Sequence, residues 1–147
     1  MNITIRTMTN ASLPQVAQLE TVCFSDPWSE ESLRSELENE TATWLVAVLE
    51  DDTIVGYGGL HVLFDEGEIM NIAVSPAYRR AGIGAALLTA LLNAAADAEA
   101  VFLEVRASNS GAIALYERFG FEKIAVRKNY YRLPTEDAHI MRKEMKK

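Results

Sequence analysis

Residues Arg79 to Gly84 read Arg-Arg-Ala-Gly-Ile-Gly and stand between an apolar strand pattern and an alanine- and leucine-rich helix pattern. A glycine turn that opens a helix presents backbone N–H groups that no intrahelical carbonyl can reach. The helix dipole adds positive character there, so the turn suits an anion such as a pyrophosphate. Gly82 and Gly84 carry no Cβ, which lets a ligand approach the backbone closely. Arg79 and Arg80 add charge-assisted donors that fit phosphate. The bland alternative is a glycine turn with surface arginines. Two familiar phosphate loops do not fit: a dinucleotide fingerprint needs a third small residue where Leu87 stands, and a P-loop needs a Gly-Lys-Ser/Thr run that is absent.

A second group of reactive side chains follows. In the segment Val101 to Arg106, Val101, Leu103 and Val105 share one face of a strand, and Phe102, Glu104 and Arg106 share the other. A carboxylate in so apolar a segment is costly if it is buried without a partner. Glu104 is either paired with Arg106 along that face or a general base at the mouth of a cleft. Asn109, at the strand–helix junction, makes a local turn or donates to an amide in a ligand's arm. Tyr116, one to two turns into the next helix, is either a core residue with its hydroxyl tied to the backbone or a proton donor to a leaving thiolate. Cys23 lies in an apolar helix end near Glu20 and Asp26, which disfavours its thiolate and a nucleophilic role. His61 and His139 lack the partners and spacing of a metal site and read as structural, so no metal is expected.

These residues need a scaffold. Ile3 to Arg6 forms a first strand; Ser12 caps a helix with Pro14 in its first turn, running to Phe24. Asp26-Pro27-Trp28-Ser29 breaks that helix, and Ser29 caps a second, with Glu30 and Glu31 in its first turn and Leu33 and Leu37 on one face. Trp44 to Leu49 and Thr53 to Leu63 read as strands, with Gly56, Gly58 and Gly59 marking a bend or bulge. Phe64 to Gly67 turns the chain into the strand Glu68 to Val74, which feeds the glycine loop. Leu87, Leu88, Leu91 and Leu92 form the stripe of the helix beyond it. Val101 to Val105 is a buried strand. Ser110 starts a helix that Gly120 ends, and Phe121 to Val126 and Ala138 to Glu144 close the pattern as strands. Strands and helices alternate after a hairpin-rich middle, so the expected class is α/β: a mixed sheet with helices on both faces.

Size and composition set outer bounds. At 147 residues the chain is expected to form one domain. A core of that size needs no disulfide, and Cys23 is the only cysteine. A hydrophobic share of 49% and a charged share of 24% are ordinary for a globular protein. No apolar run reaches the length of a membrane span and the first residues carry no signal-peptide pattern, so a cytoplasmic setting without membrane contact is expected. The net charge of −7 argues against direct nucleic-acid binding and permits a basic peptide partner, although such charge often serves solubility alone.

Four blocks in order resemble the N-acetyltransferases of the GNAT superfamily: Ile69 to Val74, Tyr78 to Gly84, Leu103 to Asn109 and Ala114 to Phe121. A narrower resemblance is to the RimI family, which acetylates the N-terminal alanine of a small-subunit ribosomal protein. It rests on Asp26-Pro27-Trp28-Ser29, Glu104 to Asn109, Asn129-Tyr130-Tyr131 and Glu136 to Met141. The resemblance implies the GNAT acyl-CoA N-acyltransferase fold over residues 1–147, with a mixed, mostly antiparallel sheet.

It also implies roles. Ile72, Ala73 and Val74 would offer backbone groups to the acetyl-pantetheine arm of acetyl-CoA, as an added strand does. Arg80, Ala81, Gly82, Ile83, Gly84 and Ala85 would hold the pyrophosphate, and Asn109 would touch the cofactor arm. Glu104 would be the general base and Tyr116 the general acid. Trp28, Tyr130 and Tyr131 would wall the acceptor's N-terminus; packing and hairpin pairing of the last strands explain the two tyrosines equally well. Glu68 is a reserve base, because some relatives place a catalytic tyrosine near it. Transfer to a lysine or small-molecule amine would use the same cofactor loop, and a non-catalytic acyl-CoA-binding module is a further alternative.

Overall fold

A computed structural model of the chain describes residues 2–145. Seven strands form one sheet in the order β1-β2-β3-β4-β5-β7-β6. The strands are β1 (Ile3–Thr7), β2 (Ala42–Leu49), β3 (Ile54–Leu63), β4 (Glu66–Val74), β5 (Ala100–Arg106), β6 (Glu122–Tyr131) and β7 (Glu136–Glu144). Neighbours are antiparallel except β4 and β5, which run parallel and are joined by helix α3 (Ile83–Ala94). The mixed, mostly antiparallel sheet is therefore as expected.

Helices α1 (Leu13–Cys23) and α2 (Glu30–Leu37) cover one face of β2, β3 and β4 through Val16, Leu19, Leu33, Trp44 and Tyr57. Helices α3 and α4 (Ser110–Arg118) cover the other face, with Leu88, Leu91, Val101, Leu103, Tyr116 and Phe121 at their centre. No helix among the described residues is long and apolar enough to cross a membrane.

Two details set up the site. Between β3 and β4, Gly59 pairs with Asn71 and Leu60 with Ile69, which leaves Met70 as an extra residue on β4. The expected irregularity is present on both sides of the glycine-rich strand: Val55, next to Gly56, is an extra residue on β3 against β2, and Met70 is one on its partner β4. Gly59 itself makes room for Trp44: a Cβ there would collide with the indole ring. Just at Met70, β4 and β5 part. Their pairing runs only from Glu66↔Ala100 to Ile69↔Leu103. Beyond it, β4 pairs with β3 alone and β5 with β7 alone. A bulge bends and twists its strand, so the extra residue supplies a physical reason for the split.

Local expectations hold with two adjustments. Ser29 caps α2 by accepting from the Ser32 N–H at 3.0 Å. Ser12 precedes α1, but its hydroxyl turns back and accepts from the Thr9 N–H at 3.1 Å, closing a 3-10 turn (Asn10–Ser12) rather than capping the helix. The last hairpin is longer than expected, because β6 continues to Tyr131 and β7 begins at Glu136.

Candidate active site

The glycine loop has the geometry of an anion cradle. Arg80 and Gly82 both take left-handed backbone conformations, with φ of 65° and 80°. Nothing would crowd a Cβ at Gly82, so glycine is favoured there by the turn rather than by space. The first intrahelical bond of α3 runs from the Ala86 N–H to the Gly82 carbonyl. The N–H groups of Ile83, Gly84 and Ala85 therefore stand in the unsatisfied first turn, where a pyrophosphate binds well. Arg79 does something other than expected: its Nε donates to the Val74 carbonyl at 3.2 Å, bracing the loop against β4. Cys23 Sγ donates to the same oxygen at 3.6 Å. Burial pushes the Cys23 thiol up, which agrees with its reading as a poor nucleophile.

The split between β4 and β5 leaves the facing edges of Met70–Val74 and Glu104–Arg106 without strand partners. An unpaired strand edge accepts an extended chain carrying amides, which is the chemistry of a pantetheine arm. Since the Val74 carbonyl is engaged by Arg79, the arm is left with the other backbone groups of Ile72, Ala73 and Val74. Asn109 caps α4: its Oδ1 accepts from the Ala112 N–H at 3.1 Å, which leaves its amide NH₂ as the group that can reach an arm. These features fit acetyl-CoA.

Glu104 does not pair with Arg106. One of its oxygens, Oε1, accepts from the Tyr130 hydroxyl at 3.3 Å. The other, Oε2, is buried without a hydrogen-bond partner and stands 3.7 Å from Arg127 Nη1. Glu104 lines a groove of about 580 Å³ together with Glu68, His61, Phe102 and Arg127. Arg106 instead organises the turn between β6 and β7. It donates to the carbonyls of Arg132 (2.8 Å) and Pro134 (3.0 Å), pairs with Glu136 at 3.3 Å and lies 4.5 Å from the centre of the Tyr131 ring. Tyr130 and Tyr131 meet edge to face with centroids 5.1 Å apart. Burial raises the pKa of both, and the Glu104 carboxylate raises it further.

Tyr116 is held by the end of its helix. The Phe121 N–H returns to the Tyr116 carbonyl and the Gly120 N–H to that of Glu117, with Gly120 left-handed: a Schellman motif. Its apolar contact is the Phe121 ring against the Tyr116 ring, edge to face at 5.8 Å. Burial pushes the Tyr116 phenol up to about 12, so it keeps its proton at neutral pH. Tyr116 belongs to the buried cluster that includes Leu103 and Val105, the two β5 residues flanking Glu104.

Trp28 stands on the opposite side, in a groove of about 640 Å³ with Asp26, Ser29 and Glu36. Three acidic side chains hold this side through contacts invisible in local sequence. Glu20, fully buried, accepts from the Trp28 N–H. Glu36 accepts from the Trp44 indole at 3.2 Å and also bonds His61, joining the Trp28 groove to the Glu104 groove. Asp26 pairs with Arg132 at 2.8 Å, linking the α1–α2 loop to the β6–β7 turn. The one sequence signal for any of these was an acidic residue, Glu20, inside an apolar helical run. No group of three or more metal-ligating side chains exists among the described residues.

Comparison with known proteins agrees with this geometry. Residues 13–121 match the Acetyltransferase (GNAT) family, and the chain belongs to that family. An Escherichia coli (strain K12) [ribosomal protein bS18]-alanine N-acetyltransferase is 37% identical, over 94% of this chain and 95% of its own. The crystal structure of the E. coli ribosomal-protein-S18-alanine N-acetyltransferase superposes with a TM-score of 0.91 at 34% identity, covering 99% of this chain and 96% of the other. An uncharacterised protein of Mycobacterium leprae (strain TN) is 42% identical over 97% of this chain, which spans 41% of that longer protein.

Proposed function

We propose that this protein transfers acetyl from acetyl-CoA to the N-terminal α-amino group of a protein, with the N-terminal alanine of a small-subunit ribosomal protein as its acceptor. The identity to the E. coli enzyme over nearly the whole of both chains supports the acceptor class. The observation that carries the chemistry is Glu104: one oxygen accepts from Tyr130, and the other is buried without a hydrogen-bond partner, 3.7 Å from the Arg127 guanidinium, in a residue that lines the groove beside the strand split.

Acetyl-CoA supplies the acetyl group as an activated thioester. The attacking amine must be neutral. Deprotonating an α-amino group of pKa 7.7–8.0 at pH 7 costs about 1 kcal/mol, against about 4.6 kcal/mol for lysine at 10.4. In this reading Glu104 takes that proton, directly or through a water. The neutral nitrogen adds to the thioester carbon; as the C–S bond breaks, the Tyr116 hydroxyl protonates the departing sulfur, and the second proton released by the nitrogen restores the phenol. Backbone N–H groups of the Ile72–Val74 edge stabilise negative charge on the carbonyl oxygen. Trp28, Tyr130 and Tyr131 wall the amine, and the protein's net charge of −7 suits a basic polypeptide acceptor.

The test uses two peptides with free CoA release as the readout. One has a free N-terminal alanine and no lysine; the other has a blocked N-terminus and an internal lysine. Transfer to the first alone is expected. Transfer to the second alone would move the assignment to a lysine acetyltransferase, and CoA binding with no transfer to any amine would make the domain a binding module.

A further inference from the structure

Glu20 is the one charged residue that is fully buried among the described residues. It sits on the inner face of α1 beside Val16 and Leu19, where a leucine would pack at no desolvation cost. Burial raises its pKa, opposed by the two hydrogen bonds it accepts. Those bonds reach segments far apart in sequence. Oε1 accepts from the Trp28 backbone N–H at 2.7 Å, and Oε2 from the Asn71 amide at 3.3 Å. Trp28 belongs to the loop that walls the acceptor. Asn71 follows the Met70 bulge and directly precedes Ile72, where the cofactor edge begins.

We infer that Glu20 is a positioning residue, a strut that sets the distance between the acceptor wall and the strand edge along which the acetyl arm lies. The inference rests on the site assignment proposed above. A carboxylate suits this task because its two oxygens can each hold one segment, which no apolar side chain can do. Each oxygen is engaged once and the residue is sealed from solvent, so an acceptor amine does not reach it. The loop has a second fastening through the Trp28 ring, which leans on Trp44 with centroids 5.7 Å apart. Glu36 anchors that Trp44 indole in turn. The ring is thus fixed through Glu36 and the backbone through Glu20.

The test compares Glu20→Ala, Glu20→Gln, Asn71→Ala and the double variant Glu20→Ala/Asn71→Ala, reading kcat and KM for the alanine peptide, the Kd for CoA and the Tm. Misplacing reacting groups by about 1 Å costs up to about 100-fold. Glu20→Ala should therefore lower kcat/KM for the peptide at least about tenfold while the CoA Kd stays within about threefold. Glu20→Gln should restore most of the activity, because its carbonyl still accepts from Trp28 and its NH₂ can donate to a flipped Asn71 amide. The double variant should be no worse than Glu20→Ala alone, as for two ends of one contact. Should Glu20→Ala fail to fold, Glu20→Gln and Asn71→Ala carry the comparison. Wild-type kinetics in Glu20→Ala or Asn71→Ala, equal damage in the Gln and Ala variants, or additive losses would overturn the strut. If the wild-type protein ignores the peptide, the acceptor assignment falls by itself. The strut is then judged by amide exchange, where Glu20→Ala must loosen Trp28 and Ile72 together and loosening of only one refutes it.

Discussion

The two sides of the split sheet are built by different means. On the proposed cofactor side, the loop from Arg79 to Ala85 is a contiguous run that offers backbone N–H groups and two left-handed residues. On the proposed acceptor side, the wall comes from the α1–α2 loop, β5 and the β6–β7 hairpin, tied together by side chains: Glu20 to Trp28, Glu36 to Trp44 and His61, Asp26 to Arg132, Arg106 to the final turn. The difference suits the two ligands. A pyrophosphate is the same in every turnover and can be met by backbone, which does not vary with side-chain identity. An acceptor chain must be discriminated, and side chains on several elements can change one at a time.

Variants can separate the two sides. The largest loss is expected from Glu104→Gln, which belongs to the chemistry between them. Removing a general base costs about 10²–10⁴-fold, so kcat at pH 7 should fall in that range while the KM for acetyl-CoA holds. Full activity in that variant would hand the role to Glu68. Tyr116→Phe should lower kcat by about 10²-fold through loss of the general acid. The same residue predicts a pH effect on stability. The unfolded phenol releases its proton near its ordinary pKa of 10, and the folded one only at about 12. Stability from this group is therefore complete below pH 10 and is lost as the pH climbs from 10 to about 12, a decline in urea midpoint that Tyr116→Phe should lack.

Next in size, Gly82→Val puts a β-branched residue at φ 80°. That strain, of order 1–3 kcal/mol, should deform the loop and raise the KM for acetyl-CoA about tenfold without moving the KM for peptide. The smallest effect belongs to the opposite side. Asp26 and Arg132 are largely exposed, with side-chain exposures of 54% and 76%. Asp26→Asn should change stability by less than about 1 kcal/mol and the peptide KM by about two- to fivefold, with the change shrinking at high salt. A Gly82→Val enzyme that loses peptide affinity, or an Asp26→Asn enzyme that loses acetyl-CoA affinity, would break the division.

Much of this was legible before any coordinates. The strand and helix periods, Ser29 as a cap, Gly120 as a helix end and the glycine loop are local, since capping, periodicity and left-handed turns depend on residues within one or two turns of each other. The resemblance of four ordered blocks pointed to Glu104 and Tyr116. Local reasoning failed where a side chain's partner lies on another element. Arg79 read as a phosphate ligand because nothing nearby shows the Val74 carbonyl it reaches. Glu104 read equally well as a partner of Arg106, because the β6–β7 turn that captures Arg106 arrives 26 residues later.

By itself the sequence determined the class of fold, the glycine turn that opens a helix and the residue types able to move protons, because periodicity and turn chemistry act over short stretches of chain. Only the tertiary structure decided where β4 and β5 part, which oxygen of Glu104 lacks a hydrogen-bond partner, and that a buried glutamate ties the α1–α2 loop to β4. Those are distances between segments far apart in the chain, set by how the faces of the sheet pack and where a bulge shifts the register.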